Sequence, residues 1–410
     1  MEDARRMSVW SGAVACFVVA AAAGTLFRFG PLTGLPWGLE AGNLRHAHSH
    51  LMFFSWATPA LMALWGCYFQ EKAKRLSKAL ASLGPGGYFA AWAAMALGLF
   101  SFPFFLVAGY GRVAFLGAEL PWATMISGVT MFAWYSFGIW YIRIRPRLPR
   151  TSALALFEIS LLALGLSTLG AWGRAALQVV GGGSPILEEL SVQLFLGAFT
   201  HGWLIVGTLG LAAASLEDRR PLRQGGAPWL LLLGLPGVSL LGRARMVGEG
   251  LGLGYQLGIA LSALVFAAGL GWCAWQLVDA IRKDGANWWP YLLYLLFTMV
   301  SLALSASPRV IAWAERAGLY IVYLHLVALG VASTGLVTAA RARWGAGVAP
   351  SPWGFGGAVA LLLLGILSLI PRWPGPGDPA GRLALAAWTS IPPIAAMLFP
   401  WIRGSIRRRA

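Results

Sequence analysis

Arg45-His-Ala-His-Ser-His-Leu-Met-Phe-Phe54 sets three histidines, His46, His48 and His50, at the head of an apolar run. The chain has only two more: His201 in Phe199-Thr-His-Gly-Trp-Leu204 and His325 in Tyr323-Leu-His-Leu326. Both also fall inside apolar runs. Imidazole is costly to place in hydrocarbon unless its nitrogens are satisfied, so an intramembrane histidine marks a candidate site. Neutral imidazole is also a standard ligand of haem iron and copper.

The rest of the chain agrees with a membrane setting. Of 410 residues, 58% are hydrophobic and 11% charged, with a mean hydropathy of +0.69. These values exclude an ordinary soluble domain and imply a polytopic membrane protein whose partner is the lipid bilayer. Short links join the runs, so residues 1–410 read as one transmembrane domain. The net charge of +16 is assigned to cytoplasmic loops and lipid headgroups rather than to nucleic acid. Cys16, Cys67 and Cys273 are scattered in apolar surroundings and form neither CxxC nor CxxCH. That argues against disulfides, structural zinc and covalently attached haem.

Apolar runs of about 20 residues can cross a bilayer as helices. Twelve are expected, over 8–27, 46–69, 87–110, 121–142, 152–173, 190–215, 227–242, 255–280, 288–306, 318–340, 353–371 and 384–402. With the N-terminus inside, the cytoplasmic segments hold 21 of the 31 Lys and Arg, from Arg5 and Arg6 through Arg143–Arg150 to the Arg403–Arg409 tail. That bias predicts both termini in the cytoplasm of a prokaryotic-type inner (plasma) membrane. The first span resembles a signal peptide but is expected to remain as a helix.

The histidines fall on the second, sixth and tenth spans, four apart. This period predicts an all-α polytopic membrane protein with twelve transmembrane helices in three pseudo-equivalent groups of four. The local sequences echo weakly: His50-Leu-Met-Phe-Phe-Ser, His201-Gly-Trp-Leu-Ile-Val and His325-Leu-Val-Ala-Leu-Gly. Spans two and ten run inward, so His48 and His325 are expected in the outer half of the bilayer at similar depth. Two imidazoles at one depth are what a six-coordinate haem b requires. His46 and His50, four residues apart, share a helix face that His48 does not; their spacing suits a copper or zinc ion. His201 lies deeper in its span.

At these residues the chain resembles subunit I of the haem–copper oxidase superfamily, closest to C-type oxidases and nitric oxide reductases. The second span matches that family's helix II at His48, Met52, Phe54 and Pro59, and His325 with Gly330 matches helix X. The resemblance implies a twelve-helix fold and one low-spin haem b with His48 and His325 as axial ligands. It also implies outer arginines on the haem propionates, for which Arg45, Arg316 and Arg372 are candidates, Arg372 standing between the last two spans. The chain departs from the family at the binuclear centre. Tyr323 occupies the position of the high-spin haem ligand, and the seventh span carries no histidine. His201 is left to correspond to a copper ligand, and one histidine does not make a copper site.

The expected function is therefore electron transfer or redox and gas sensing through a bis-histidine haem, without a complete copper site. If the chain is an enzyme, it is a respiratory-type oxidoreductase. Quinol, another respiratory subunit or a second copy are candidate partners, and copper is a candidate second cofactor on His46, His50 and His201. Two alternatives stand beside this. One is a haem- or copper-handling protein of the nitric-oxide-response type, whose early His-Ala-His-Glu motif loosely resembles His46-Ala-His-Ser49. The other is a secondary transporter, which would call for midplane charges. Glu158 is the one carboxylate well inside a span and is expected to snorkel to the inner surface.

Overall fold

The computed structural model describes residues 2–76, 84–180, 184–217, 226–239, 252–284, 286–370 and 377–407. Helices dominate. In chain order they begin with α1 (Glu2–Thr33), α2 (Ala41–His50), a π-helical segment π1 (Leu51–Ala57), α3 (Thr58–Leu76), α4 (Gly86–Ala108) and α5 (Trp122–Ile144). Next come α6 (Ser152–Val180), α7 (Pro185–Gly197), π2 (Ala198–Val206), α8 (Gly207–Leu216), α9 (Ala227–Ser239), α10 (Leu253–Asp284) and α11 (Trp289–Leu304). The chain ends with α12 (Pro308–Arg316), α13 (Leu319–His325), π3 (Leu326–Ser333), α14 (Thr334–Trp344), α15 (Pro352–Leu367), α16 (Pro379–Trp388) and α17 (Ile391–Arg407). Between α4 and α5, β1 (Val113–Phe115) and β2 (Ala118–Leu120) form an antiparallel hairpin, a departure from an all-helical chain.

Helix starts follow from local chemistry. Ser184-Pro185, Ser307-Pro308, Ser351-Pro352 and Asp378-Pro379 each place proline at the first helical position, where its missing N–H costs nothing. Asp378 also caps its helix, accepting from the Gly381 N–H at 2.5 Å.

Each expected span overlaps described helix, with 240–242 and 371 lying outside the described residues and 384–402 falling on two helices, but length and apolarity together qualify fewer than twelve. Among the described residues eight helices can cross a membrane, or nine if the pair Trp289–Leu304 and Pro308–Arg316, bent by 115°, counts as one. Ala227–Ser239 and Pro352–Leu367 are apolar but short, and Trp122–Ile144 is diluted by Trp, Tyr, Ser and Gly. The protein is thus an α-helical integral membrane protein in character.

The chain divides into two compact units, residues 1–149 with 336–410, and residues 150–335. In the first, α1 packs on α2, π1 and α3 and on α16 and α17, while α4 pairs with α5. Its core is aromatic: Trp56 meets Trp10 at 5.3 Å and Phe17 at 5.2 Å between ring centroids. Arg6, counted among the cytoplasmic charges, is buried. It donates to the Gly66 carbonyl and to Gln70 Oε1, tying the start of α1 to the last turns of α3. In the second unit, α6 packs on α7, π2 and α8, α9 pairs with α10, and π2 packs on π3.

The three histidine-bearing spans stand apart in two ways. Their apolar windows are the most buried of the eight: 89% for Ala41–Arg75, 83% for Pro185–Leu216 and 72% for Leu319–Trp344, against 28–61% for the others. Each also contains one of the three π-helical segments found among the described residues. Such wide turns are rare and concentrate at functional sites. For π1 the cause is readable, because Pro59 lacks an N–H and its ring crowds the carbonyl four residues back. In π3 hydroxyls support the wide register: Ser333 Oγ donates to the Ala328 carbonyl at 2.7 Å and Thr334 Oγ1 to that of Leu329 at 3.2 Å, both five residues back.

Candidate functional site

His48 is held by one face of α1. Its Nδ1 lies 2.7 Å from the Ala20 carbonyl, which can only accept, so the ring carries its proton on Nδ1 and its lone pair on Nε2. Four residues on, Gly24 makes room for the ring: a Cβ there would stand 2.7 Å from His48 Cε1. Four further on, Arg28 Nη1 donates to the Gly24 carbonyl at 3.1 Å. Ala20, Gly24 and Arg28 thus form an i, i+4, i+8 stripe facing a half-buried imidazole. Met52 and Phe54, named with His48 in the sequence, are buried one turn further along.

His46 and His50 occupy a different face of the same span. The His50 ring stacks on Phe105, centroids 4.0 Å apart. Its Nδ1 lies 3.1 Å from Ser127 Oγ and its Nε2 2.9 Å from the Tyr110 hydroxyl. His46 meets the Tyr110 ring edge-on at 4.6 Å.

In the second unit, His201 is buried on π2. Its Nδ1 donates to the Gly197 carbonyl at 3.0 Å, so Nε2 is the acceptor for the Tyr323 hydroxyl at 2.7 Å. The two rings also stack, 29° from coplanar. The packing of π2 on π3 brings this pair together. His325, two residues beyond Tyr323, donates Nδ1–H to the Ile321 carbonyl at 2.8 Å and shares the His48 tautomer. Gly330 is buried below it.

The remaining candidates fall out as follows. Arg45 and Arg316 are exposed; Arg372 lies outside the described residues. Glu158 is half-buried. The three cysteines are buried thiols. His46 and His50 belong to the first unit, and both His201 nitrogens are taken within the second. Among the described residues no group of three or more His, Cys, Asp or Glu is placed to hold a metal ion. The sequence reading missed Arg28, Gly24 and Ala20, whose four-residue spacing carries meaning only once α1 is known to pack on α2. It also missed Tyr110 and Ser127 as the partners of His50.

No family model matches the chain, and no curated protein matches it at a significant level.

Proposed function

We propose that the chain is a haem b-binding integral membrane protein related to haem–copper oxidase subunit I, acting in electron transfer or in redox and gas sensing. His48 and His325 are the residues the sequence offers to hold the haem iron. The observation that carries the reading is the seat of His48. A metal-bound histidine characteristically donates its other ring N–H to a carbonyl, which fixes the tautomer and raises the basicity of the coordinating nitrogen. The Ala20 carbonyl does this for His48, and the Ile321 carbonyl for His325.

The residues present fit a haem. Neutral imidazole nitrogens are its usual ligands, the glycine at position 24 clears the ring's flank, and Arg28 supplies a cation for an anionic carboxylate. A b-type haem would supply a one-electron iron couple. The chain's own contribution is to orient the imidazoles, withhold protons from Nε2 and surround the histidine-bearing spans with apolar side chains. A quinol or another respiratory subunit is the proposed redox partner. Twelve membrane helices in three groups of four, with both termini cytoplasmic, belong to the same proposal. The recurrence of one π-helical segment on each histidine-bearing span supports it.

A dithionite-reduced minus oxidised spectrum of the purified protein tests the reading. The expected result is a sharp low-spin b-type band that His48→Ala and His325→Ala each abolish. Purified protein that never carries haem overturns it, and copper without haem would favour the metal-handling alternative.

A further inference from the structure

His46 and His50 project from the same face of α2 toward the end of α4 and toward α5, and Tyr110 stands between them. The arrangement is built. Asn43 Nδ2 donates to the Val107 carbonyl at 3.1 Å, joining the first turn of α2 to the last turn of α4. Gly109, at φ +55°, ends α4 and turns the chain so that Tyr110 faces back onto α2. Phe105 stacks on His50 and fixes the plane of its ring. The His46 ring is half-buried and makes no hydrogen bond among the described residues.

We propose that His46, His50 and Tyr110 form a binding site for a divalent transition-metal ion, copper(II) before zinc(II), at the hairpin end of the first unit. Two imidazoles at i and i+4 present their nitrogens to one ion from a single helix face. His50 needs no reorientation. In the tautomer that donates Nδ1–H to Ser127 Oγ, its Nε2 points at the space now bridged to the Tyr110 hydroxyl, the pattern of a metal ligand held by an outer partner. The phenol supplies the third donor. The ion takes the place of its proton, Tyr–OH plus M²⁺ giving Tyr–O–M⁺ plus H⁺, and the proton leaves to solvent along the half-exposed edge of Tyr110. Water from the same side completes the coordination. Imidazole and phenolate donors select against calcium and magnesium, which take carboxylate, carbonyl and water oxygens. The site involves neither His48 nor Arg28 and is independent of the haem proposal.

The test is equilibrium dialysis of the full-length protein in detergent against copper(II) alone, followed by electron paramagnetic resonance. One ion per chain with nitrogen couplings from two imidazoles is expected, together with a phenolate-to-copper absorption band. His46→Gln, which replaces a ring that makes no hydrogen bond among the described residues, is expected to weaken binding by about tenfold or more. Tyr110→Phe is expected to remove the absorption band while leaving the nitrogen couplings. His50→Gln should match His46→Gln if it folds, and His46→Gln carries the test if it does not. Wild-type protein that retains no copper, His46→Gln with unchanged affinity, or a band that survives Tyr110→Phe would overturn the site. Haem content, read as pyridine haemochrome on the same samples, reports separately on the proposed function.

Discussion

Single atoms decide the character of both histidine centres. At His48 the decisive group is one that is missing, the Cβ of residue 24. Gly24→Ala would place a methyl 2.7 Å from Cε1 and 2.8 Å from Nδ1, so the ring must leave the Ala20 carbonyl. The expected cost is about 1–3 kcal/mol, the usual range for overpacking. It should be read as a lower unfolding temperature in detergent and, on the haem proposal, as reduced haem content. Gly42→Ala, which meets nothing within 4 Å, should change neither. At His201 the decisive group is the Tyr323 hydroxyl. Tyr323→Phe leaves Nε2 buried without its donor and is expected to destabilise the protein by about 1–3 kcal/mol. His201→Phe combined with Tyr323→Phe should recover part of that loss, which a double-mutant cycle of thermal unfolding measures. The five histidines were legible from composition and spacing alone. Their partners were not, because Ala20, Tyr110, Ser127 and Gly197 are ordinary residues until packing aims a carbonyl or hydroxyl at an imidazole.

At the scale of the element, the π-helical segments distinguish the three histidine-bearing spans from the rest. A wide turn leaves almost no mark on hydrophobic periodicity, and only Pro59 announced one of the three. The other two, π2 and π3, pack on each other, and in π3 side chains also bond across the widened turn. Ser333→Ala and Thr334→Ala each remove a hydroxyl that reaches five residues back. Each is expected to cost about 1 kcal/mol, and together they should accelerate amide hydrogen exchange through π3 and the start of α14. Exchange unchanged in the double variant would show that packing against π2 alone holds the register. The count of spans shows a related limit of sequence reading. The helix Trp122–Ile144 is long enough to cross a membrane, but its aromatic and small polar residues lower its apolarity, so a hydropathy count and a helix count part company there.

For the whole molecule, the sequence could show a membrane protein, but orientation rests on charge alone. Within the first unit the structure gathers that charge. Arg6 binds the last turns of α3 through Gly66 and Gln70, and Glu71 on the same helix pairs with Arg75 at 2.6 Å and Arg343 at 3.5 Å. The start of α1, the end of α3 and the end of α14 therefore share one end of the unit, with Lys72 and Lys74 beside them. The hairpin and the His46–Tyr110 pair lie toward the opposite end, at the start of α2 and the end of α4. Basic residues are retained on the cytoplasmic side during insertion, which predicts that the Arg6 end faces the cytoplasm and the hairpin faces outward. A membrane-impermeant maleimide should accordingly label Leu116→Cys, 81% exposed at the hairpin turn, in intact cells. It should label Lys74→Cys only after the membrane is opened. The native cysteines are buried and contribute little background. Labelling of Lys74→Cys in intact cells, with Leu116→Cys protected, would invert the orientation and place the proposed metal site on the cytoplasmic face, while leaving the packing of both units as described.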